Sequence, residues 1–200
     1  MILTGRVGKN SDLISDALSL YVKEGDTIAD VTYGKGAFWR NTDLSKYVFY
    51  ATDLHGCGPE HNPACIDFSN LPYEDDSIDL LVLDPPYMHG GATVKESINK
   101  CYRNQNTSHQ SVVRLYAKGI IEAARVLKKR GRIFIKCQDE IESGKQCMTH
   151  VEIMGMMQMF GFLTLDLFTL VQSTKPAMRE QYQKTARKNH SYLLVGEFRK

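Results

Sequence analysis

Leu80-Leu81-Val82-Leu83-Asp84-Pro85-Pro86-Tyr87 is the stretch on which the fold turns. Four apolar residues in a row, without alternation, predict a strand buried on both faces, as in a parallel sheet. Two consecutive prolines cannot continue a hydrogen-bonded ladder, so the strand stops at Asp84. A carboxylate, a stiffened backbone and the ring of Tyr87 are thereby delivered to the carboxyl end of that strand. In open α/β sheets this end is where ligands bind. An acid and a flat ring held this way suit a planar amino group, with hydrogen bonds at its edge and stacking on its face. Taken alone, the tetrapeptide is equally a strand end closing in a turn.

Strand-like and helix-like segments alternate on either side. Residues 12–22 carry Leu13, Ile14, Ala17, Leu18 and Tyr21 at helical spacing, with Asn10, Ser11 or Asp12 as caps. Residues 27–32 and 47–52 predict strands, the second ending at Asp53. Residues 112–129 predict a helix stopped by Arg130-Gly131, and 132–137 a strand. Residues 151–160 predict a helix ended by Gly161, with Met154, Met156, Met157 and Met159 as its packing face. Residues 163–171 and 191–198 predict closing strands, antiparallel because no clear helix separates them. The alternation predicts an α/β, Rossmann-like three-layer sandwich: a mostly parallel seven-stranded sheet with an antiparallel last strand. Segments 54–65 and 88–111 read as irregular and project from the carboxyl side of the sheet.

The 200 residues, 42% hydrophobic and 24% charged, suit one domain over residues 1–200 with no separate target-recognition domain. No apolar run reaches membrane-spanning length. Met1-Ile2-Leu3-Thr4-Gly5-Arg6 lacks the basic start and apolar core of a signal peptide, which predicts a cytoplasmic protein. Five cysteines, an odd number at irregular spacing, then read as free thiols. His55, Cys57, His61 and Cys65 do not have the spacing of a closed metal site, and no metal is expected.

Gly34 and Gly36 follow the strand at 27–32 and let the backbone turn tightly beside a ligand. A dinucleotide fingerprint needs a third glycine, and Phe38, Trp39 and Arg40 occupy that region instead, which disfavours a pyrophosphate site. Asp30, ahead of the loop, repels phosphate and welcomes an ammonium. Asp53 lies 17 residues after Gly36, close to the ~20-residue spacing at which an acid binds a ribose diol in such folds. Asp67-Phe68 offers another acid and ring, or else a cap or loop ion pair. Cys137, at a strand end, reads as core or rim rather than as a nucleophile.

A glycine loop preceded by an acid, a strand-end acid, Asp-Phe and Asp-Pro-Pro-Tyr thus fall on successive strand ends. In this the chain resembles the class I S-adenosylmethionine-dependent methyltransferases, and within them the Asp-Pro-Pro-Tyr-type amino methyltransferases of DNA and RNA. The tetrapeptide matches in full, while the first motif matches in Asp30, Gly34 and Gly36, with Thr32 and Tyr33 replacing its Pro-Phe. The cofactor motifs precede the catalytic one, which is one of the circular orders of these enzymes. The resemblance implies S-adenosyl-L-methionine as cofactor. Residues 30–36, Thr32 and Tyr33 included, would hold its methionine part, with Asp30 near the ammonium and Ser11 in the segment closing over the carboxylate. Asp53, with Leu54 beside it, would take the ribose, and Asp67 and Phe68 the adenine.

It also implies a catalytic role for Asp84, Pro85, Pro86 and Tyr87. Asp84 and a backbone carbonyl of Pro85-Pro86 would accept the hydrogens of an exocyclic amino group, and Tyr87 would stack on its base. A duplex base must be flipped out to reach such a pocket. Lys95, Arg103 and Arg114, with Lys100 and Lys118 nearby, and Lys175, Arg179, Lys184, Arg187 and Lys188 form two basic segments suited to phosphates. Adenine N6 in DNA is the favoured target and cytosine N4 a second. RNA methylation, at guanine N2 or adenine N6, and a catalytically silent nucleic-acid-binding subunit remain alternatives. Lacking a recognition domain, the chain would read short sequences, use a partner subunit or act on structured RNA.

Overall fold

The computed structural model describes residues 1–54, 64–87, 108–172, 186 and 188–199. In chain order the elements are β1 (Gly5–Val7), α1 (Asn10–Tyr21), β2 (Thr27–Asp30), β3 (Val48–Asp53), β4 (Ala64–Cys65), β5 (Ile78–Leu83), α2 (His109–Val126), β6 (Leu127–Cys137), β7 (Glu140–Glu142), β8 (Lys145–Cys147), α3 (Thr149–Met159), β9 (Phe162–Val171) and β10 (His190–Phe198).

The main sheet has eight strands in the order β1-β9-β10-β6-β5-β2-β3-β4. All neighbouring pairs are parallel except β10 with β6 and β9. The expected class therefore holds, with one strand more than the seven expected. Gly5–Val7 pairs with Thr169–Val171 and extends the edge. From β2 the chain runs outward to β3 and β4, then returns to place β5 on the other side of β2. The crevice between β2 and β5 is thus the switch point at which such sheets open a ligand site.

Alternate residues of the apolar strands feed two cores. Ala29, Leu81, Leu83, Ile133, Ile135 and Leu194 meet α2 and α3 through Val112, Tyr116, Ile120, Ile153 and Met157. Ile28, Leu80, Val82, Phe134, Leu193 and Val195 meet α1 through Leu13, Ile14, Ala17 and Leu18. Burial on both faces explains the unbroken apolar runs. Of the methionines expected to pack, Met157 is buried, Met154 and Met156 are partly covered and Met159 faces solvent.

The second helix ends at Val126 rather than near Lys129, and β6 begins at once. Ile78 pairs with Leu127 but Leu80 with Arg132, so four residues of β6 bulge out. Arg130, at φ 63°, sits in that bulge rather than at a helix end. Among the described residues no helix is long and apolar enough to cross a membrane.

Arg125, in the last turn of α2, fastens the segment leading into β5. Its guanidinium donates to the carbonyls of Tyr73 (2.8 Å) and Leu71 (3.0 Å) and to Glu122 and Asp75. Arg125→Met is expected to cost about 1–2 kcal/mol in urea unfolding, because two backbone acceptors lose a charged donor at a partly solvated site. An unchanged unfolding midpoint would dismiss the clamp.

Candidate active site

Asp30 closes β2 and is 2% exposed. The Thr32 N–H donates to its Oδ1 at 3.0 Å and the Trp39 Nε1–H to its Oδ2 at 2.6 Å. Burial raises this carboxyl to about 7 against the pull of those two donors, and the charges of Asp84 and Asp53 raise it further. Asp30 thus lies at the base of the glycine loop and organises it through these two hydrogen bonds. The Gly34 N–H, at φ 54°, donates to Asp53 Oδ2 at 3.0 Å, so the ends of β2 and β3 are joined across the loop. Tyr33 is buried, with its N–H on the Thr52 carbonyl at 3.1 Å and its ring against Gly36.

The raised carboxyls carry a sign. An aspartate of ordinary pKa near 4 in the unfolded chain and about 7 when folded keeps a proton that the unfolded chain has lost. Its contribution is complete below about pH 4 and is lost as pH rises to about 7. The stability difference between Asp30→Asn and the native protein, from urea unfolding, is therefore expected to shift in favour of the variant from pH 4 to pH 8. Parallel pH profiles for the two proteins would refute the assignment.

On the other bank of the crevice, β5 delivers Asp84-Pro85-Pro86-Tyr87. Asp30 pairs with Val82, so two residues on Thr32 lies beside Asp84. The Asp84 N–H donates to Thr32 Oγ1 at 2.6 Å. Thr32, a substitution within the expected first motif, thus ties the two banks together. Asp84 is half-buried, its Oδ1 fully out of solvent and without a hydrogen-bond partner among the described residues. Burial lifts this carboxyl to about 6, opposed by the positive charge of Lys136. Pro85 is buried, and Tyr87 is partly buried against the α2-side core.

Lys136 did not stand out in the sequence. It is 2% exposed on β6, with its Nζ donating to Ser191 Oγ at 2.5 Å and lying 5.9 Å from the centre of the Tyr87 ring. Its one sequence signal is a lysine interrupting the apolar run from Ile133 to Cys137. Trp39 was legible only as an obstacle to a third glycine, yet it is the main donor to Asp30.

The remaining expected residues fall as follows. Leu54 is exposed at the lip of β3. Asp67 is exposed and accepts the Ser69 N–H at 2.9 Å, which forms a turn. Phe68 is 9% exposed and packs in the α2-side core. Ser11 is buried in the first turn of α1, which Asn41 Nδ2 joins to the glycine-loop side through Asp12 at 2.6 Å. Next to it, Asn10 Oδ1 is buried without a partner among the described residues. Arg114 and Lys118 are exposed one turn apart on α2, and Lys188 is partly buried ahead of β10. Lys95, Lys100, Arg103, Lys175, Arg179, Lys184 and Arg187 lie outside the described residues, as do His55, Cys57 and His61. Cys137 is buried, which pushes its thiol up and away from nucleophilic use. Among the described residues no three His, Cys, Asp or Glu side chains converge as metal ligands.

Strand order, switch-point crevice and antiparallel β10 define the class I S-adenosylmethionine-dependent methyltransferase fold. The same fold is seen in an S-adenosylmethionine-dependent methyltransferase of Methanosarcina mazei, at TM-score 0.54 and 12% identity over 92% of this chain and 97% of that one. It recurs in a structure of a Haloferax volcanii complex with the Trm112 methyltransferase activator, at TM-score 0.58 and 17% identity over 96% and 90%. In sequence the chain is 35% identical over 77 residues to the type II methyltransferase M2.MboI of Moraxella bovis. That match takes in 36% of this chain and 28% of the relative's length. No family model matches the chain.

Proposed function

We propose that this protein is an S-adenosylmethionine-dependent methyltransferase acting on an exocyclic amino nitrogen of a nucleic-acid base, with adenine N6 in DNA as the favoured atom. One observation carries the proposal: Asp84 presents a desolvated, unpartnered oxygen at the switch point, next to a proline pair and an aromatic ring. The similarity to a type II methyltransferase supports it.

The crevice also fits the methyl donor. Gly34 and Gly36 bring bare backbone to the end of β2, Asp53 stands at the end of β3 for a diol, and Asn10 keeps a buried acceptor unpartnered at the α1 side. The donor, when bound, supplies a methyl group on a cationic sulfur. The chain's residues then have three tasks. Asp84 and a carbonyl of Pro85 or Pro86 accept the two amino hydrogens, which turns the nitrogen lone pair out of conjugation with the ring. Tyr87 holds the base plane. Asp84, as a carboxylate, takes the proton that the nitrogen must shed once it has gained the methyl group. Positioning and acceptors aimed at developing positive charge are both effective in a water-poor crevice. The exposed Arg114 and Lys118 offer phosphate contacts on the α2 side, and a partner subunit would supply longer sequence recognition.

Calorimetry with S-adenosylmethionine, followed by methyl transfer to DNA and to RNA and mass spectrometry of the digested nucleosides, tests this directly. N6-methyldeoxyadenosine is the expected product. Failure to bind the donor would remove the enzyme assignment, and product from RNA alone would replace the substrate.

A further inference from the structure

Four side chains share one rim on the α1 face of the sheet. Asp30 extends the Ile28 face of β2, Asp84 the Leu80–Val82 face of β5, and Lys136 the Phe134 face of β6, while Ser191 precedes Leu193 on β10 with the same orientation. Leu83 pairs with Ile135, so Asp84 stands level with Lys136, one strand spacing away. Lysine is almost never fully buried unless something holds it there. Here, among the described residues, a single neutral hydroxyl, Ser191 Oγ, accepts from Nζ at 2.5 Å. The Lys136 backbone carbonyl is itself fixed by the Tyr116 hydroxyl at 2.8 Å, so the residue cannot slide outward.

We propose that Lys136 is a positioning residue of the transfer site: a fixed ammonium, tethered to Ser191, that keeps Asp84 ionised and backs the ring of Tyr87. The proposal rests on the assignment of Asp84 as acceptor of the amino hydrogens. Its logic is one of charge. Asp84 faces Asp30 from β2, Lys136 and Cys137 from β6 and Tyr116 from α2, with Tyr87 on its own segment. Among these, Lys136 is the cation. A base and a donor entering the crevice expel more water, and that favours a protonated, useless Asp84. Burial lowers the Lys136 ammonium from its usual lysine range and the charge of Asp84 supports it, so the neighbouring cation and the carboxylate sustain one another without occupying the Asp84 oxygen that the substrate needs. At 5.9 Å from the ring centre, the ammonium also lies within cation–π range of Tyr87.

The test begins with the unliganded protein and needs no activity. Carbon-13 NMR titration of the Asp84 carboxyl, assigned with Asp84→Asn, is expected to show its midpoint rising by about one pH unit or more in Lys136→Met. Lys136→Arg, which keeps the charge, should restore most of the shift, and Ser191→Ala should give a smaller rise in the same direction. In the transfer assay, the acid limb of kcat/KM should move with the NMR midpoint, so that Lys136→Met loses about fivefold or more near pH 6 and recovers in alkali. An unmoved midpoint in Lys136→Met overturns the proposal, as does a loss of transfer equal at every pH. If Lys136→Met does not fold, an unmoved midpoint in Ser191→Ala is decisive instead. A native protein that transfers no methyl group removes the assigned function but leaves the Lys136–Asp84 coupling to be decided by NMR.

Discussion

Asp84→Ala is expected to lower methyl transfer by about 10³-fold or more while leaving S-adenosylmethionine affinity within about threefold. Asp84 is linked to the donor half through its backbone N–H, which Thr32 Oγ1 accepts at 2.6 Å. That amide bond survives any substitution of the side chain, so the two halves stay joined. What disappears is the acceptor for the amino hydrogens and for the leaving proton. Asp84→Asn keeps one acceptor oxygen and loses the charge, and should fall between the native protein and the alanine variant. With Asp84 at about 6, kcat/KM of the native protein should decline below about pH 6, where the protonated carboxyl no longer accepts. Single-turnover rates and donor titrations on the three proteins decide the matter. Parallel losses of donor binding and rate would move Asp84 into the donor site, and full activity of the alanine variant would end its catalytic assignment.

Much of this site was legible because buried parallel strands advertise their ends. The unbroken run before Asp84 and the glycines after Asp30 locate two adjacent strand tips, and the order of acids names the third. Faces were harder. Phe68 follows Asp67 in a segment with no periodicity, so nothing in the sequence says that its ring turns toward Leu83 and Tyr116. Lys136 posed the reverse problem: a lone lysine in an apolar strand is ordinarily an outward residue, and only the register with Ile135 and Leu193 puts it on an inner face. The edge strand Gly5–Val7 is too short to show a pattern. The hairpin of β7 and β8 turns on Ser143 and Gly144, both at positive φ, a signal visible only in the Gly. The end of α2 was displaced because Leu127 continues the helical spacing while the bulge in β6 absorbs the residues that follow.

Gly36→Val is expected to weaken S-adenosylmethionine binding by about 100-fold or more, and Gly36→Ala to do so in lesser degree. Two penalties coincide there. Gly36 has φ 66°, a conformation that costs a side-chain-bearing residue about 1–2 kcal/mol and a β-branched one more. A Cβ at this position would also lie 2.5 Å from the Tyr33 hydroxyl and 2.8 Å from its ring carbon. Tyr33 cannot swing clear cheaply. Its ring is buried and meets Phe49 edge-on at 6.1 Å, and its N–H is held by Thr52. The turn itself must therefore open, breaking the bond from the Gly36 N–H to the Tyr33 carbonyl (2.9 Å) and dislodging Gly34 from Asp53. The loop would then lose the bare backbone surface on which the donor rests. Gly144 isolates the conformational cost, since it has φ 79° with nothing within 4 Å of a built Cβ. Gly144→Ala should lose about 1 kcal/mol in urea unfolding and keep native donor affinity. If Gly36→Val binds the donor as the native protein does, the loop between β2 and the Trp39 turn is not the donor's seat, and the site must be sought elsewhere on the rim.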